Sequence, residues 1–112
     1  MGGATSRRRG HQFERDLAVW LRSKGVRAQT ARELSGGMQA GSDLITDLPV
    51  TCELKNHAKW DVSAWLAQAR RDAAGDPAAL FIKRRGTADP GESYVIMQAD
   101  EFVALVRPDT TF

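Results

Sequence analysis

Several residue types and patterns are scarce in this chain of 112 residues, and each scarcity excludes a class of protein. Cys52 is the only cysteine, so no internal disulfide can form, and a reducing, cytoplasmic location is expected. One cysteine and two histidines are too few for a typical four-ligand zinc site. No apolar run reaches the roughly 18 residues of a membrane helix, and no signal-peptide pattern is present. The chain has no glycine-rich loop of a nucleotide-binding type, so no small-molecule cofactor is expected. It also has no internal repeat.

The remaining composition predicts one folded domain with an uneven charge. A hydrophobic fraction of 42% is enough for a single core. The net charge is +2, but residues 86 to 112 contain five acids and one base, which leaves 15 bases and nine acids before them. Twelve of the 16 bases are arginine, whose planar guanidinium matches phosphate oxygens. We expect a flexible basic arm over residues 1–11, one domain over 12–107, a tail over 108–112 and a phosphate-rich partner.

Hydrophobic periodicity predicts an α/β fold in which a mixed central sheet is flanked by helices. The predicted order is helix, three strands, helix, two strands and helix. The predicted ranges are a helix over 12–24, strands over 26–30, 44–45 and 50–55, a helix to about residue 74, strands over 80–82 and 94–97, and a helix over 100–106. Asp61 or Ser63 is the predicted N-cap of the second helix. The large aromatic residues Trp60, Trp65, Phe81 and Phe102 are expected in the core or an interface.

Two charged residues in the third predicted strand are candidates for a catalytic site. Alternation along residues 50–55 directs Glu53 and Lys55 to one face. If Thr46 faces Val50 across the preceding turn, Asp43 lies opposite Glu53. Two carboxylates at that separation repel unless a cation lies between them, and hard divalent cations bind carboxylate oxygens. A metal-bound water with a lysine beside it is suited to phosphodiester hydrolysis.

Each of these residues also has a structural interpretation. Glu14 could be a solvated helix residue, and Asp43 could form a turn after Gly41. Glu53 and Lys55 could form an ion pair on an exposed sheet. The nearby tryptophans instead indicate a covered sheet, which favours a functional role for Glu53 and Lys55. Glu14 lies at the edge of the apolar face of its helix and can turn toward the sheet, and we favour a ligand role for it and for Asp43.

The chain resembles a known nuclease superfamily over residues 7 to about 96. The helix–strand order with Asp43 and Glu53-x-Lys55 is similar to the PDDEXK, restriction-endonuclease-like αβββαβ core. The amino-terminal Arg8-Arg9-Gly10-x-x-x-Glu14-Arg15-Asp16-Leu17, then Gly25 and Ser35-Gly36-Gly37, resembles the archaeal-type Holliday junction resolvases, which phages also carry. One departure is Ser42, which stands where the family usually has proline before the aspartate.

The resemblance implies a role for each matching residue. Glu14, Asp43, Glu53 and the backbone carbonyl of Leu54 would bind Mg²⁺, with Mn²⁺ as a substitute. Lys55 would position the attacking water. The additional catalytic candidates are Gln68 and Ser35. The candidates for DNA contact are Arg7, Arg8, Arg9, His11, Arg32, Ser35, His57 and Lys59.

The resemblance therefore implies a Mg²⁺-dependent endonuclease that cuts four-way DNA junctions as a homodimer. A two-fold dimer supplies two equivalent sites for two opposing strands. The alternatives are another branch or flap nuclease of the same superfamily, a nickase, or a DNA-binding module without activity.

Overall fold

A computed structural model describes the backbone of residues 2–35 and 44–107, and the side chains of residues 8–33 and 44–107. The elements in chain order are α1 (Gly2–Ser23), β1 (Ala28–Thr30), α2 (Ala31–Ser35), β2 (Leu44–Thr46), β3 (Thr51–Lys55), α3 (Val62–Ala73), β4 (Ala78–Ile82), a 3₁₀ turn (Pro90–Glu92), β5 (Tyr94–Ile96) and α4 (Ala99–Val106). The fold is therefore α/β, as predicted, with a helical segment, α2, that the sequence analysis did not anticipate.

The five strands form one mixed sheet in the order β1-β2-β3-β4-β5. The β3–β4 pair is parallel, and the other three pairs are antiparallel. A parallel pair needs a crossover, which α3 provides between β3 and β4. The predicted mixed central sheet is confirmed.

Alternation along the central strands divides the core between the two faces of the sheet. One face packs against α1, and its cluster contains Phe13, Leu17, Ala18, Leu21, Ala28, Leu44, Cys52, Leu54, Ala79 and Phe81. The other face packs against α3, whose Ala69 and Ala73 meet Ala78. Because successive residues in a strand point to opposite faces, Glu53 and Lys55 lie on the α3 side, away from α1. Glu53 and Lys55 therefore share a face of the sheet with α3, which packs there through two alanines.

The helix ends follow local sequence signals. Gly25, at φ +88°, ends α1, and its N–H donates to the carbonyl of Arg22 while the N–H of Val26 donates to Leu21. This is a Schellman arrangement, which glycine permits because it lacks a Cβ. Asp61 caps α3, accepting from the N–H of Ala64 at 3.3 Å. Both the Gly25 stop and the Asp61 alternative of the predicted cap are confirmed.

The first helix begins earlier than predicted. The sequence predicts a start at Gln12 and an arm over residues 1–11, whereas α1 extends back to Gly2. Its packed segment from Phe13 to Leu21 supplies the costly nucleus, after which each further residue adds one backbone hydrogen bond without a new nucleation cost. α1 has 22 residues, yet none of the helices in the described ranges has the length and apolar character to cross a bilayer.

Two of the aromatic residues predicted for the core are exposed. Phe81 is buried and Trp65 is half-buried, whereas Trp60 is 43% and Phe102 51% exposed. Trp60 lies in the connection before α3, and Phe102 lies on α4, which has no buried residue. The prediction for these two residues is wrong for the core, because neither segment packs beneath another element.

Candidate functional site

The directions of the strands bring three chain reversals to one end of the sheet. β1, β3 and β4 run the same way, so Thr30, Lys55 and Ile82 end at the same edge. We call this edge the carboxyl end of the sheet. The segments that leave it are α2, residues 56–61 and residues 83–93. In α/β sheets, the carboxyl ends of the strands are the usual location of functional side chains.

Glu53 is the one acidic side chain in the buried core of the described residues. Its exposed fraction is 9%, and it pairs in register with the fully buried Leu80 on β4. Lys55, two residues later on the same face, is half-buried and pairs with Ile82. A carboxylate is buried in a protein only when it is hydrogen-bonded, paired or bound to a cation. The structure thus brings Glu53 and Lys55 together, as alternation predicts.

The hairpin has the predicted register. Leu44 of β2 pairs with Cys52 of β3, which is the alignment obtained by setting Thr46 opposite Val50. Burial of Leu44 and Cys52 against α1 explains this register, because a slip by one residue would turn one of the two side chains away from α1. In the same alignment the sequence predicts Asp43 opposite Glu53, and Asp43 itself lies outside the described residues.

An indole ring lies beneath the Lys55 ammonium. Lys55 Nζ is 5.7 Å from the centroid of Trp65, the fourth residue of α3. The His57 ring contacts the same indole at a centroid distance of 5.2 Å. A lysine at that distance from an aromatic face is attracted by the ring quadrupole. The sequence predicts Trp65 in the core or an interface, and its contact with Lys55 is a further feature that only the structure shows.

A pocket of about 250 Å³ lies between α1 and α2, and it contains three of the predicted residues: His11, Glu14 and Arg32. Arg32 Nη1 lies 3.3 Å from His11 Nε2, so the two predicted DNA-contacting side chains meet. Glu14 belongs to α1, which packs on the face of the sheet opposite to Glu53. Within the described ranges, no three acidic, histidine or cysteine side chains form a group that could hold a metal ion.

A capping box holds α2 at the end of β1. The N–H of Thr30 donates to Glu33 Oε1 at 2.7 Å, and the N–H of Glu33 donates to Thr30 Oγ1 at 3.1 Å. The backbone hydrogen bond from Thr30 lowers the pKa of Glu33 most, with further lowering from the Thr30 hydroxyl and from Arg22. The sequence signal was present, because Thr30-x-x-Glu33 is the capping-box pattern. The box sets the position of Arg32 within the pocket.

A second pocket at the carboxyl end adds basic residues that the sequence analysis missed. It measures about 310 Å³ and is lined by Arg9, Gln12, Phe13, Asp16, Asn56, Lys83 and Arg85. Asn56 Nδ2 donates to the carbonyl of Arg9 at 3.4 Å, which ties α1 to the end of β3. Lys83 and Arg85 follow β4 directly, so a signal existed: basic residues immediately after a buried strand. Only the parallel pairing of β3 and β4 brings them beside Asn56.

The remaining candidates are spread along the same elements. Arg8, Arg9, Arg32, His57, Lys59 and Gln68 are exposed, and Leu54 is buried against α1. Arg7 and Ser35 lie on the described backbone of α1 and α2, but their side chains lie outside the description. Gln68 is an exposed residue of α3, three positions after Trp65, and its catalytic role stays a prediction.

Bases lie at both ends of the sheet. The carboxyl end carries Lys55, Lys59, Lys83, Arg84 and Arg85 on or beside the strands, and Glu92 pairs with Arg84 there. The opposite end carries Asp47, Asp76 and Glu101 together with Arg22, Arg27 and Arg70, and Glu101 pairs with Arg70. Two further pockets, of about 600 and 470 Å³, lie along β1 and β2 and along the turn between β2 and β3, and neither includes a predicted site residue. The bases at the carboxyl end lie beside Glu53, which makes this end the candidate surface for a polyanion.

No protein-family model, curated protein or solved structure shows a significant match to this chain. The interpretation of the site consequently depends on its geometry and chemistry.

Proposed function

We propose that this protein is a Mg²⁺-dependent endonuclease with a PDDEXK-like fold, which cuts branched DNA and resolves four-way junctions as a homodimer. The observation that carries the proposal is the position of Glu53 and Lys55. They lie side by side on one face of β3, at the carboxyl end of the sheet, in a hairpin whose register is the predicted one. Metal-dependent phosphodiester hydrolysis uses an acidic metal ligand with a cation close to it.

The donor set suits a hard divalent cation if Asp43 joins Glu53. The described carboxylates alone do not form a three-ligand group, so the proposal depends on Asp43 opposite Glu53 across the hairpin. Carboxylate oxygens and the Leu54 carbonyl are the ligand types that Mg²⁺ prefers. Glu14 lies in the pocket between α1 and α2, on the α1 side of the sheet, so we leave it out of the proposed ligand set. When bound, the ion would supply a more acidic water and neutralise charge on the scissile phosphate.

Lys55 would act on the attacking water or on a non-bridging phosphate oxygen. Its ammonium is a compact donor with three hydrogens, and Trp65 restricts where it points. A group held in advance costs less entropy to position in the transition state. In this proposal the carboxylates bind the metal ion, and Lys55 aligns the attacking water.

The arrangement of bases favours contacts to the DNA backbone. The exposed arginines and lysines at the carboxyl end lie on three separate segments, which suits phosphates spread over a branched structure. Backbone contacts carry no direct sequence information, so we expect selection by shape and weak sequence preference. Resolution needs a cut in each of two strands, and a two-fold dimer would supply both sites.

The test is a cleavage gel with four-way, flap and linear duplex substrates, each incubated with Mg²⁺ or EDTA. We expect Mg²⁺-dependent paired nicks in the four-way junction, and a loss of several orders of magnitude in the Glu53→Gln and Asp43→Asn variants. Both substitutions keep the side-chain shape and remove the charge that binds the metal. Glu92→Gln is the matched control, because it removes the same charge from an exposed side chain that pairs with Arg84.

Each other result has a definite meaning. Cleavage restricted to flaps would indicate a branch nuclease in place of a resolvase. A gel shift without cleavage by the unmodified protein would indicate a DNA-binding module. Wild-type cleavage by Glu53→Gln would show that the proposed site is wrong.

A further inference from the structure

Three residues form a row across neighbouring strands at the carboxyl end. Lys55 pairs in register with Ile82, and Ile82 pairs with Tyr94 at the start of β5. Side chains that pair directly point to the same face of a sheet, so Tyr94 lies on the face of Lys55. With neighbouring strands about 4.8 Å apart, Tyr94 is roughly 10 Å from Lys55. A short stretch of unpaired DNA can span that distance.

Tyr94 forms an exposed aromatic pair with Trp60. Their ring centroids are 5.6 Å apart, with an interplanar angle of 66°. The exposed fractions are 43% for Trp60 and 45% for Tyr94. Rings of this size usually stabilise a fold by being buried, and here about half of that stabilisation is lost because nearly half of each side chain stays exposed. An edge-to-face pair also keeps part of a ring face open to a third planar group.

The surroundings of the pair carry both bases and acids. Lys59 precedes Trp60 in the chain, and Lys83, Arg84 and Arg85 follow the strand next to Tyr94, while Asp61 and Glu92 are the neighbouring acids and Glu92 pairs with Arg84. Lys83 Nζ donates to the carbonyl of Thr87 at 2.7 Å, which anchors one of these cations to the loop between β4 and β5. Aromatic rings beside a cationic groove are the combination that binds single-stranded nucleic acid, by stacking of bases and pairing of phosphates.

We infer that Trp60 and Tyr94 form a stacking site for an unpaired nucleobase next to the strand on which Lys55 acts. This inference rests on the proposed function and names a part of the substrate: a base that is unstacked at the branch point. Two aromatic rings between lysines and arginines fit the flat face of a base with phosphates on either side. A protein partner would instead be expected on an aliphatic surface, such as the exposed Val103 and Val106 of α4.

The test compares two four-way junctions that differ by one base. One carries a single unpaired thymidine at the branch point, and the other carries an abasic residue there, so the number of phosphates is the same. Binding is measured by fluorescence anisotropy in EDTA, which prevents Mg²⁺-dependent cleavage. Stacking on one aromatic platform corresponds to a preference of roughly 5- to 150-fold, and we expect about tenfold for the thymidine junction.

Three variants assign the preference to the ring pair. Trp60→Leu should reduce the tenfold preference to about one, and Tyr94→Leu should reduce it in part. Trp60→Phe keeps an aromatic face and should retain most of it. Phe102→Leu is the matched control, because Phe102 is also about half exposed but lies on α4, at the opposite end of the sheet. Thermal unfolding of each variant establishes that it is folded.

The results separate this inference from the proposed function. Equal affinity of the unmodified protein for both junctions, or a preference that persists in Trp60→Leu, would overturn the stacking site. Cleavage that depends on Glu53 would continue in either case. Absence of binding to both junctions would overturn the stacking site and the proposed function together.

Discussion

Replacing Trp65 with leucine removes the aromatic face beneath Lys55 and keeps an apolar side chain on α3. The ammonium lies 5.7 Å from the ring centroid, and both residues are half-buried. A cation–π contact of this kind is worth about 0.5–1 kcal/mol. If that energy orients Lys55 in the transition state, its loss lowers the cleavage rate roughly two- to fivefold.

The assay is a single-turnover rate on a four-way junction with saturating protein and Mg²⁺. It compares the unmodified protein, Trp65→Leu, Lys55→Ala and the double variant, which together form a double-mutant cycle. We expect Trp65→Leu to slow the unmodified protein and to have no effect in the Lys55→Ala background. His57→Ala serves as the control, because His57 contacts the same indole and carries no proposed role in the chemical step.

Two results would contradict this reasoning. An equal slowing by Trp65→Leu in both backgrounds would mean that Trp65 supports the fold and not Lys55. An unchanged rate in Lys55→Ala would mean that Lys55 takes no part in the chemical step, whatever the indole does. Junction affinity should change little in either single variant, since the effect belongs to the rate.

Three further predictions follow from described contacts. Replacing Arg8 and Arg9 with alanine should weaken junction binding and reduce its log–log salt dependence by up to about 0.9 per lost phosphate contact, as measured by anisotropy across a salt series. Glu33→Gln should destabilise the protein near neutral pH. Because the folded pKa of Glu33 is lowered, its contribution is present above the ordinary value of 4.5 and is lost as the pH falls through the folded pKa, so melting curves of the two proteins should converge in acid. Burial raises the pKa of Cys52 to about 11, so thiol reagents should label it only on unfolding.

The strand that carries Glu53 and Lys55 was predictable because its information is local. Alternation over residues 50–55 assigns each side chain to a face, and Pro49 limits where the turn can lie. The register of the β2–β3 hairpin was predictable for the same reason, because Leu44 and Cys52 must both point toward α1. The stop at Gly25 is equally local, as it depends on one residue that tolerates positive φ.

The helices on either side were predicted less well. α1 extends into residues that look like a polar, glycine-containing arm, because a nucleated helix propagates through them once Phe13 and Leu17 pack. α2 was missed although Thr30 and Glu33 carry its signal, because five residues are too few to show periodicity. The length of a helix therefore depends on how far it propagates beyond its packed segment, which the hydrophobic pattern does not show.

The sequence by itself determined which face of β3 Glu53 and Lys55 occupy, because the alternation of side chains is visible over a few neighbouring positions. Only the tertiary structure decided which side chains meet them. Trp65 lies beneath Lys55 because α3 crosses from β3 to β4, and Trp60 meets Tyr94 because β5 returns antiparallel beside β4. Contacts between distant positions depend on strand order and direction, which arise from the packing of the whole chain and leave no periodic trace in any one segment.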